Sequence, residues 1–149
     1  PALHPKPRTP TRCPGLRFRG PPGAALVACR CPCYGPRMKP PSAPELEDAV
    51  RRLTDALVRW GAAKIILYGS VACGDYTAAS DIDLLIVKAT PARLPQRIAE
   101  ALECCSEAAP PLPVEPLVYT PEEFVRLVAE QNPLVTEALR HGRVLHDQA

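Results

Sequence analysis

Two aspartates, Asp81 and Asp83, stand two positions apart in an apolar run of the sequence, S-D-I-D-L-L-I-V. Because residues two apart in a β-strand point to the same face, the two carboxylates are expected to lie side by side. Neighbouring carboxylates in a buried strand repel each other and lose hydration unless a cation compensates. The spacing therefore predicts a divalent cation site of the kind that suits Mg²⁺. The alternative, ordinary surface carboxylates at an exposed strand end, fits the flanking apolar residues less well.

A phosphate-binding turn is predicted shortly before this aspartate pair. Gly69 and Ser70 follow a short apolar strand and precede the start of a predicted helix. Backbone N–H groups at such a junction attract anions, glycine lets a phosphate approach, and a serine hydroxyl can donate to an oxygen. Taken alone, the Gly-Ser pair fits a plain strand-to-helix turn equally well. Its combination with Asp81 and Asp83 favours phosphate binding.

Glu115 is the third candidate carboxylate, because it is the only acidic residue in the third predicted strand. If that strand flanks the aspartate strand, Glu115 can complete a three-carboxylate metal site. Two ions held in this way could align the attacking and leaving oxygens of an in-line displacement. The alternative is a solvated acid on an edge strand, since the neighbouring Pro116 cannot donate to a sheet ladder.

Hydrophobic periodicity and capping signals predict the elements that must position these residues. Helices are predicted at 43–60, about 92–108, 121–131 and 133–139, with a short helix in 71–75. Strands are predicted at 64–69, 81–88 and 113–120, while 143–147 should form a last strand or an extended tail. This order indicates an α/β (α+β) layered domain.

Several side chains near these elements are expected to have structural roles. Tyr68 and Tyr119 end two strands, and core packing is the expected role of both. At least one of the adjacent Cys104 and Cys105 should be a small core residue of its helix. Glu123, together with the Glu before it, is interpreted as a first-turn helix charge and not as a ligand. His141 and His146 are assigned no role.

Charge and proline content divide the chain into two segments. Residues 1–44 hold eight Lys and Arg, no Asp or Glu, and twelve of the 20 prolines, whereas residues 45–149 hold 10 basic and 16 acidic side chains, a net charge of −6. We predict a disordered Pro/Cys/Arg-rich extension at 1–41 and a single compact domain at 42–149. Met38 is the only methionine, and the segment before it is interpreted as an upstream extension. The acidic domain makes nucleic acid an unlikely partner.

The sequence favours a cytoplasmic protein that does not enter a membrane. No apolar run approaches the roughly 20 residues that a spanning helix needs. The remaining cysteines, Cys73, Cys104 and Cys105, form an odd and scattered set, which fits a reducing compartment better than a disulfide framework.

The motif G-S, followed about ten residues later by S-D-I-D-L-L-I, resembles the signature of the DNA polymerase beta-like nucleotidyltransferase superfamily. The similarity continues through V-E-P-L-V-Y-T-P-E-E-F and N-P-L-V-T-E-A-L-R-H-G-R-V-L-H-D, so it covers about residues 42–147. In particular, the chain resembles the minimal form of the superfamily, the MNT domains. The resemblance implies the polymerase beta-type nucleotidyltransferase fold, a small mixed β-sheet flanked by helices.

The resemblance also implies a reaction and a set of roles. The reaction is transfer of a nucleoside monophosphate, AMP from ATP, to an acceptor hydroxyl with release of pyrophosphate. By position, Gly69 and Ser70 would hold the triphosphate. Asp81 and Asp83 would bind the nucleotide through two Mg²⁺ ions. Glu115 would take the third carboxylate place, bind one metal ion and help to activate the acceptor hydroxyl.

The minimal form of the superfamily resembles the antitoxin half of pairs with a helical HEPN ribonuclease, in which the transferase can adenylylate a tyrosine of the toxin. The implied partner is therefore a HEPN-type protein, in a homo- or hetero-oligomer. Two residues depart from the pattern: Cys73 stands where members commonly have Arg, and Pro116 follows the third carboxylate. They favour an alternative, a weak or inactive module that neutralises its partner by binding alone. The sequence leaves the acceptor and the nucleotide preference open.

Overall fold

The computed structural model describes residues 39–148, so most of the extension predicted at 1–41 lies outside the described residues. The helices and strands follow the predicted order, and 143–147 forms a strand. They are α1 (Ala43–Trp60), β1 (Lys64–Tyr68), α2 (Gly69–Cys73), β2 (Ile82–Val87), α3 (Leu94–Glu107), β3 (Val114–Tyr119), α4 (Pro121–Ala129), α5 (Pro133–His141) and β4 (Arg143–Asp147).

Local capping interactions fix the helix ends close to where the sequence predicts them. The Glu45 carboxylate accepts a hydrogen bond of 2.8 Å from the Ser42 N–H at the start of α1, and the left-handed Gly61 ends that helix. At the start of α4, the Thr120 N–H donates to Glu123 at 2.9 Å and the Glu123 N–H donates to the Thr120 hydroxyl at 3.2 Å. Both helices therefore begin with a capping box.

The four strands form one mixed sheet in the order β3-β2-β1-β4. Strand β1 is antiparallel to both β2 and β4, and β2 is parallel to β3. Strand β3 lies at one edge of the sheet. Pro116 has no N–H to donate to a sheet ladder, and an edge strand tolerates this because it pairs on one side only. The fold class predicted from the sequence, a small mixed sheet flanked by helices, is confirmed.

Helices cover both faces of the sheet and divide the core in two. One face packs against α1 and α3, and its buried residues include Leu53, Leu57, Ile65, Leu67, Ile82, Leu84, Ile86 and Cys105. The other face packs against α4 and α5 through Ile66, Leu85, Val87, Val135 and Ala138. The predicted core positions of Cys105, Tyr68 and Tyr119 are confirmed, because Cys105 is buried and both tyrosines pack on the second cluster.

Several boundaries differ from the sequence prediction by one or more residues. Helix α2 begins at Gly69 itself, whose φ of +71° starts the turn directly after β1. Asp81 precedes β2 and does not lie within it. Helix α4 ends at Ala129, two residues early, because Gln131 adopts a left-handed φ of +53°. None of the helices within residues 39–148 is long and apolar enough to span a membrane.

Candidate active site

The strand register brings two of the candidate carboxylates onto adjacent strands. Asp83 stands opposite Glu115 on β3 and opposite Tyr68 on β1. Residues that are opposite in register share a face of the sheet, and neighbouring strands lie only about 4.8 Å apart. Asp83, Glu115 and Tyr68 therefore occupy the same level of the face that α4 and α5 cover. This is the placement of Glu115 that the sequence expectation required.

Asp81 lies two residues before Asp83, and both side chains are partly exposed. The pKa of Asp83 is raised above its ordinary value, first by burial and then by the negative charges of Glu115 and Asp81. Like charges disfavour ionisation of a neighbouring carboxyl only at short range. Glu115 and Asp81 therefore both lie near enough to Asp83 to repel its charge, and the three carboxylates form an acidic group at this end of the sheet.

The turn predicted to bind phosphate adjoins this acidic group. A Cβ atom placed on Gly69 would lie 2.2 Å from the Asp83 Oδ2 atom, which is far inside van der Waals contact. Gly69 also has a φ of +71°, a conformation that other L-residues rarely adopt. Only glycine lets the Asp83 carboxylate stand directly against the first residue of the turn.

A cavity of about 380 Å³ opens beside Ser70, between α2 and α5. Among the described residues that line it there is no Lys or Arg. The lining residues are Tyr68, Gly69, Ser70, Cys73, Asp75, Glu137, His141 and Gly142. The cavity is large enough for part of a small-molecule ligand, and it lies next to the serine for which phosphate binding is predicted.

Sequence reasoning missed the wall of this cavity that α5 supplies. Glu137 and His141 are four residues apart on α5, and the His141 Nε2 atom lies 4.0 Å from a Glu137 carboxylate oxygen. They reach the cavity because α5 packs on β1 through the second core cluster. No local pattern in the sequence could have placed them there, since the contact depends on tertiary packing.

Tyr68 lines the cavity and is also the register partner of Asp83 in the acidic group. Its pKa is raised to about 12, first by burial and then by the charges of Asp83, Tyr119 and Glu115. The phenol is therefore neutral at physiological pH. The sequence predicted only a packing role for Tyr68, because nothing in its spacing shows that its strand ends against the carboxylates.

The residues present fit a divalent cation by donor type and charge. Asp81, Asp83 and Glu115 offer hard oxygen ligands, and a bound cation would offset the burial and the negative charges of Glu115 and Asp81 that raise the pKa of Asp83. Within residues 39–148, no three His, Cys, Asp or Glu side chains already stand in the arrangement of a metal cage. The metal-ligand roles of Asp81, Asp83 and Glu115 stay a prediction.

Comparison with known proteins gives a separate indication of the chemistry. A family model described as Nucleotidyltransferase domain matches residues 50–145. The match begins within α1 and ends within β4, so it includes the cavity, the glycine turn and all three carboxylates. No curated protein matches the chain.

Proposed function

The chain belongs to the nucleotidyltransferase domain family, and we propose that it is a minimal nucleotidyltransferase that transfers AMP from ATP to a hydroxyl of a partner protein. The family supports nucleotidyl transfer as the general reaction. The observation that carries the finer proposal is the contact of Gly69 with Asp83, whose register partner is Glu115. This contact sets a candidate phosphate turn directly beside the carboxylates.

In the proposed mechanism, the turn binds the triphosphate and the carboxylates bind the metal. Ser70 donates its hydroxyl, and the backbone N–H groups of the turn face phosphate oxygens that Gly69 allows to approach. Asp81 and Asp83 would hold two Mg²⁺ ions, which would neutralise triphosphate charge and stabilise the entering and leaving oxygens. Glu115 would hold one of these ions and accept the proton of the acceptor hydroxyl, whose oxygen replaces pyrophosphate at the α-phosphorus.

The acceptor is proposed to be a protein. The described residues 39–148 form one four-stranded sheet with its helices, and we propose that the acceptor surface comes largely from a partner. By its resemblance to MNT antitoxins, the chain silences a HEPN-type toxin by adenylylating a toxin tyrosine. An exposed site at the sheet end suits a macromolecular acceptor, because Glu115 remains accessible there.

The second candidate is a binding module that neutralises its partner without chemistry. Cys73 favours it, because this exposed residue lines the cavity where an Arg would have neutralised phosphate charge. Pro116, which follows Glu115, favours it as well, since it constrains the backbone at the third carboxylate.

The two candidates differ in what happens to ATP. The protein is incubated with Mg²⁺, ATP labelled at the α-phosphate, and the product of the adjacent gene. The transferase proposal expects label on the partner and its loss in Asp83→Asn, while Asp55→Asn, an exposed carboxylate on α1, keeps the activity. Label from the γ-phosphate should not transfer. If Asp83→Asn labels the partner as well as the wild type does, the proposed mechanism is contradicted. If Asp83→Asn transfers no label but still protects cells, the binding module is favoured.

A further inference from the structure

Tyr68 occupies a position between the two halves of the candidate site. It is the last residue of β1 and precedes Gly69. Tyr68 lines the cavity beside Ser70, and its register partner is Asp83. A group bound both to the cavity and to the carboxylates would therefore pass the phenol ring.

The cavity has more acidic than basic lining residues, so a neutral hydrogen-bond donor such as the Tyr68 hydroxyl matters for binding phosphate there. Two acids, Asp75 and Glu137, line the cavity, and the one basic group among its described lining residues is His141. His141 is largely exposed, and its Nε2 atom lies 4.0 Å from a Glu137 carboxylate oxygen. Phosphates are usually bound by Lys or Arg, but here hydroxyl and backbone N–H groups have to supply most of the donors.

The Tyr68 hydroxyl is available for this purpose. A phenol has an ordinary pKa of about 10 and is a neutral hydrogen-bond donor at physiological pH. Among the hydrogen bonds formed within residues 39–148, none uses this hydroxyl. We propose that Tyr68 is a nucleotide-binding residue whose hydroxyl donates a hydrogen bond to the triphosphate between Ser70 and Asp83. This inference rests on the proposed function of the site.

The test compares two conservative variants, Tyr68→Phe and Tyr119→Phe. Tyr119 packs on the same cluster as Tyr68, but its register partner is Val87 at the other end of β2 and it does not line the cavity. Affinity for ATP in the presence of Mg²⁺ is measured by calorimetry, and the unfolding midpoint is measured for each protein. Tyr68→Phe should weaken ATP binding about three- to tenfold, the range for one neutral hydrogen bond. Tyr119→Phe should bind ATP like the wild type.

The outcomes separate this inference from the proposed function. Wild-type ATP affinity in Tyr68→Phe would overturn the role of the hydroxyl and leave the proposed function standing. Failure of the wild type itself to bind ATP would overturn both. A second measurement does not depend on whether a substituted protein folds. In protein labelled with 3-fluorotyrosine, ATP should shift the ¹⁹F resonance of Tyr68 and leave that of Tyr119 in place. A Tyr68 resonance that ignores saturating ATP would also overturn the inference.

Discussion

At the scale of single residues, the site depends on a glycine that tolerates a carboxylate at its surface. The Asp83 Oδ2 atom occupies the space that a Cβ on Gly69 would need, at a separation of 2.2 Å. Gly74 closes the same short helix with a φ of +81°, but a Cβ there would meet nothing within 4 Å. Alanine at either position carries the free-energy cost of a left-handed backbone, but only alanine at Gly69 also displaces Asp83. Comparing the two variants therefore separates these two costs.

Gly69→Ala should abolish ATP binding, whereas Gly74→Ala should leave it intact. Both variants force alanine into the left-handed region, which destabilises the fold by about 1 kcal/mol. Only Gly69→Ala also moves the Asp83 carboxylate. Calorimetric ATP affinity and the free energy of unfolding check this prediction. ATP binding by Gly69→Ala at wild-type affinity would show that the position of Asp83 against the turn is unimportant.

Asp83→Asn should stabilise the fold while it removes activity. Because the folded-state pKa of Asp83 is raised, ionised Asp83 destabilises the protein at neutral pH. That penalty is complete above the folded-state pKa and disappears as the pH falls below the unfolded-state value of about 3.9. We expect a gain of about 0.5–1 kcal/mol at pH 7, kept small by the partial exposure of Asp83.

Thermal unfolding between pH 3 and pH 7 measures this difference. The gap in stability between Asp83→Asn and the wild type should be largest at pH 7 and should close in acid. An Asp83→Asn protein that is less stable than the wild type at pH 7 would mean that ionised Asp83 is compensated within the fold, without a cation.

At the scale of elements, one ion pair joins α3 to α4. The Arg97 guanidinium donates to both Glu123 carboxylate oxygens, at 2.7 and 3.0 Å. The Arg97 side chain is 5% exposed and that of Glu123 is 32% exposed. Glu123 also caps α4 through Thr120. Its pKa is lowered to about 2, first by the hydrogen bond from Arg97 and then by the one from Thr120.

Glu123→Gln should destabilise the protein by about 1–3 kcal/mol, because the buried Arg97 then loses its countercharge while the cap can persist. Since the folded-state pKa of Glu123 is depressed, its contribution is complete above the unfolded-state pKa of about 4.3 and is lost as the pH falls toward about 2. Urea unfolding at pH 7 and at pH 3 measures both effects. The control is Glu122→Gln, an exposed neighbour. Equal losses in the two variants would mean that the pair contributes nothing.

The elements were predictable because their signals are local, whereas the contacts between them were not. The start of α1 is indicated by a capping box of four residues, Ser42 to Glu45. The start of α4 is indicated in the same way by Thr120 and Glu123. The capping role of Glu123 was therefore readable, but its partner Arg97 lies 26 residues away. Only the packing of α3 against β3 and the start of α4 brings that pair together.

At the scale of the whole molecule, the sheet and both core clusters lie within the described residues, and the family match lies within them as well. The sequence could select Glu115 as the partner of Asp83, because it is the only acid on β3, but the pairing of β2 with β3 came from the structure. The sequence could not place Tyr68, Glu137 and His141 around one cavity, since that depends on how α5 returns to β1.

A chain that begins at residue 39 should keep the fold and the ATP affinity of the full chain. All of the residues proposed to bind nucleotide and metal lie between Tyr68 and Glu115. Calorimetry and thermal unfolding of the two proteins check this prediction. Loss of ATP binding on removal of residues 1–38 would assign the basic segment a part in the site and would contradict a self-sufficient domain at 42–149.

The most direct test of the central claim is whether the three carboxylates and the glycine turn bind a metal ion and ATP together. Mn²⁺ prefers the same octahedral oxygen ligands as Mg²⁺ and is visible by electron paramagnetic resonance. We predict that ATP increases the amount of Mn²⁺ bound to the wild-type protein, and that Asp83→Asn loses this effect while Asp55→Asn keeps it. Mn²⁺ binding that ATP does not change, or that survives equally in Asp83→Asn, would contradict the account.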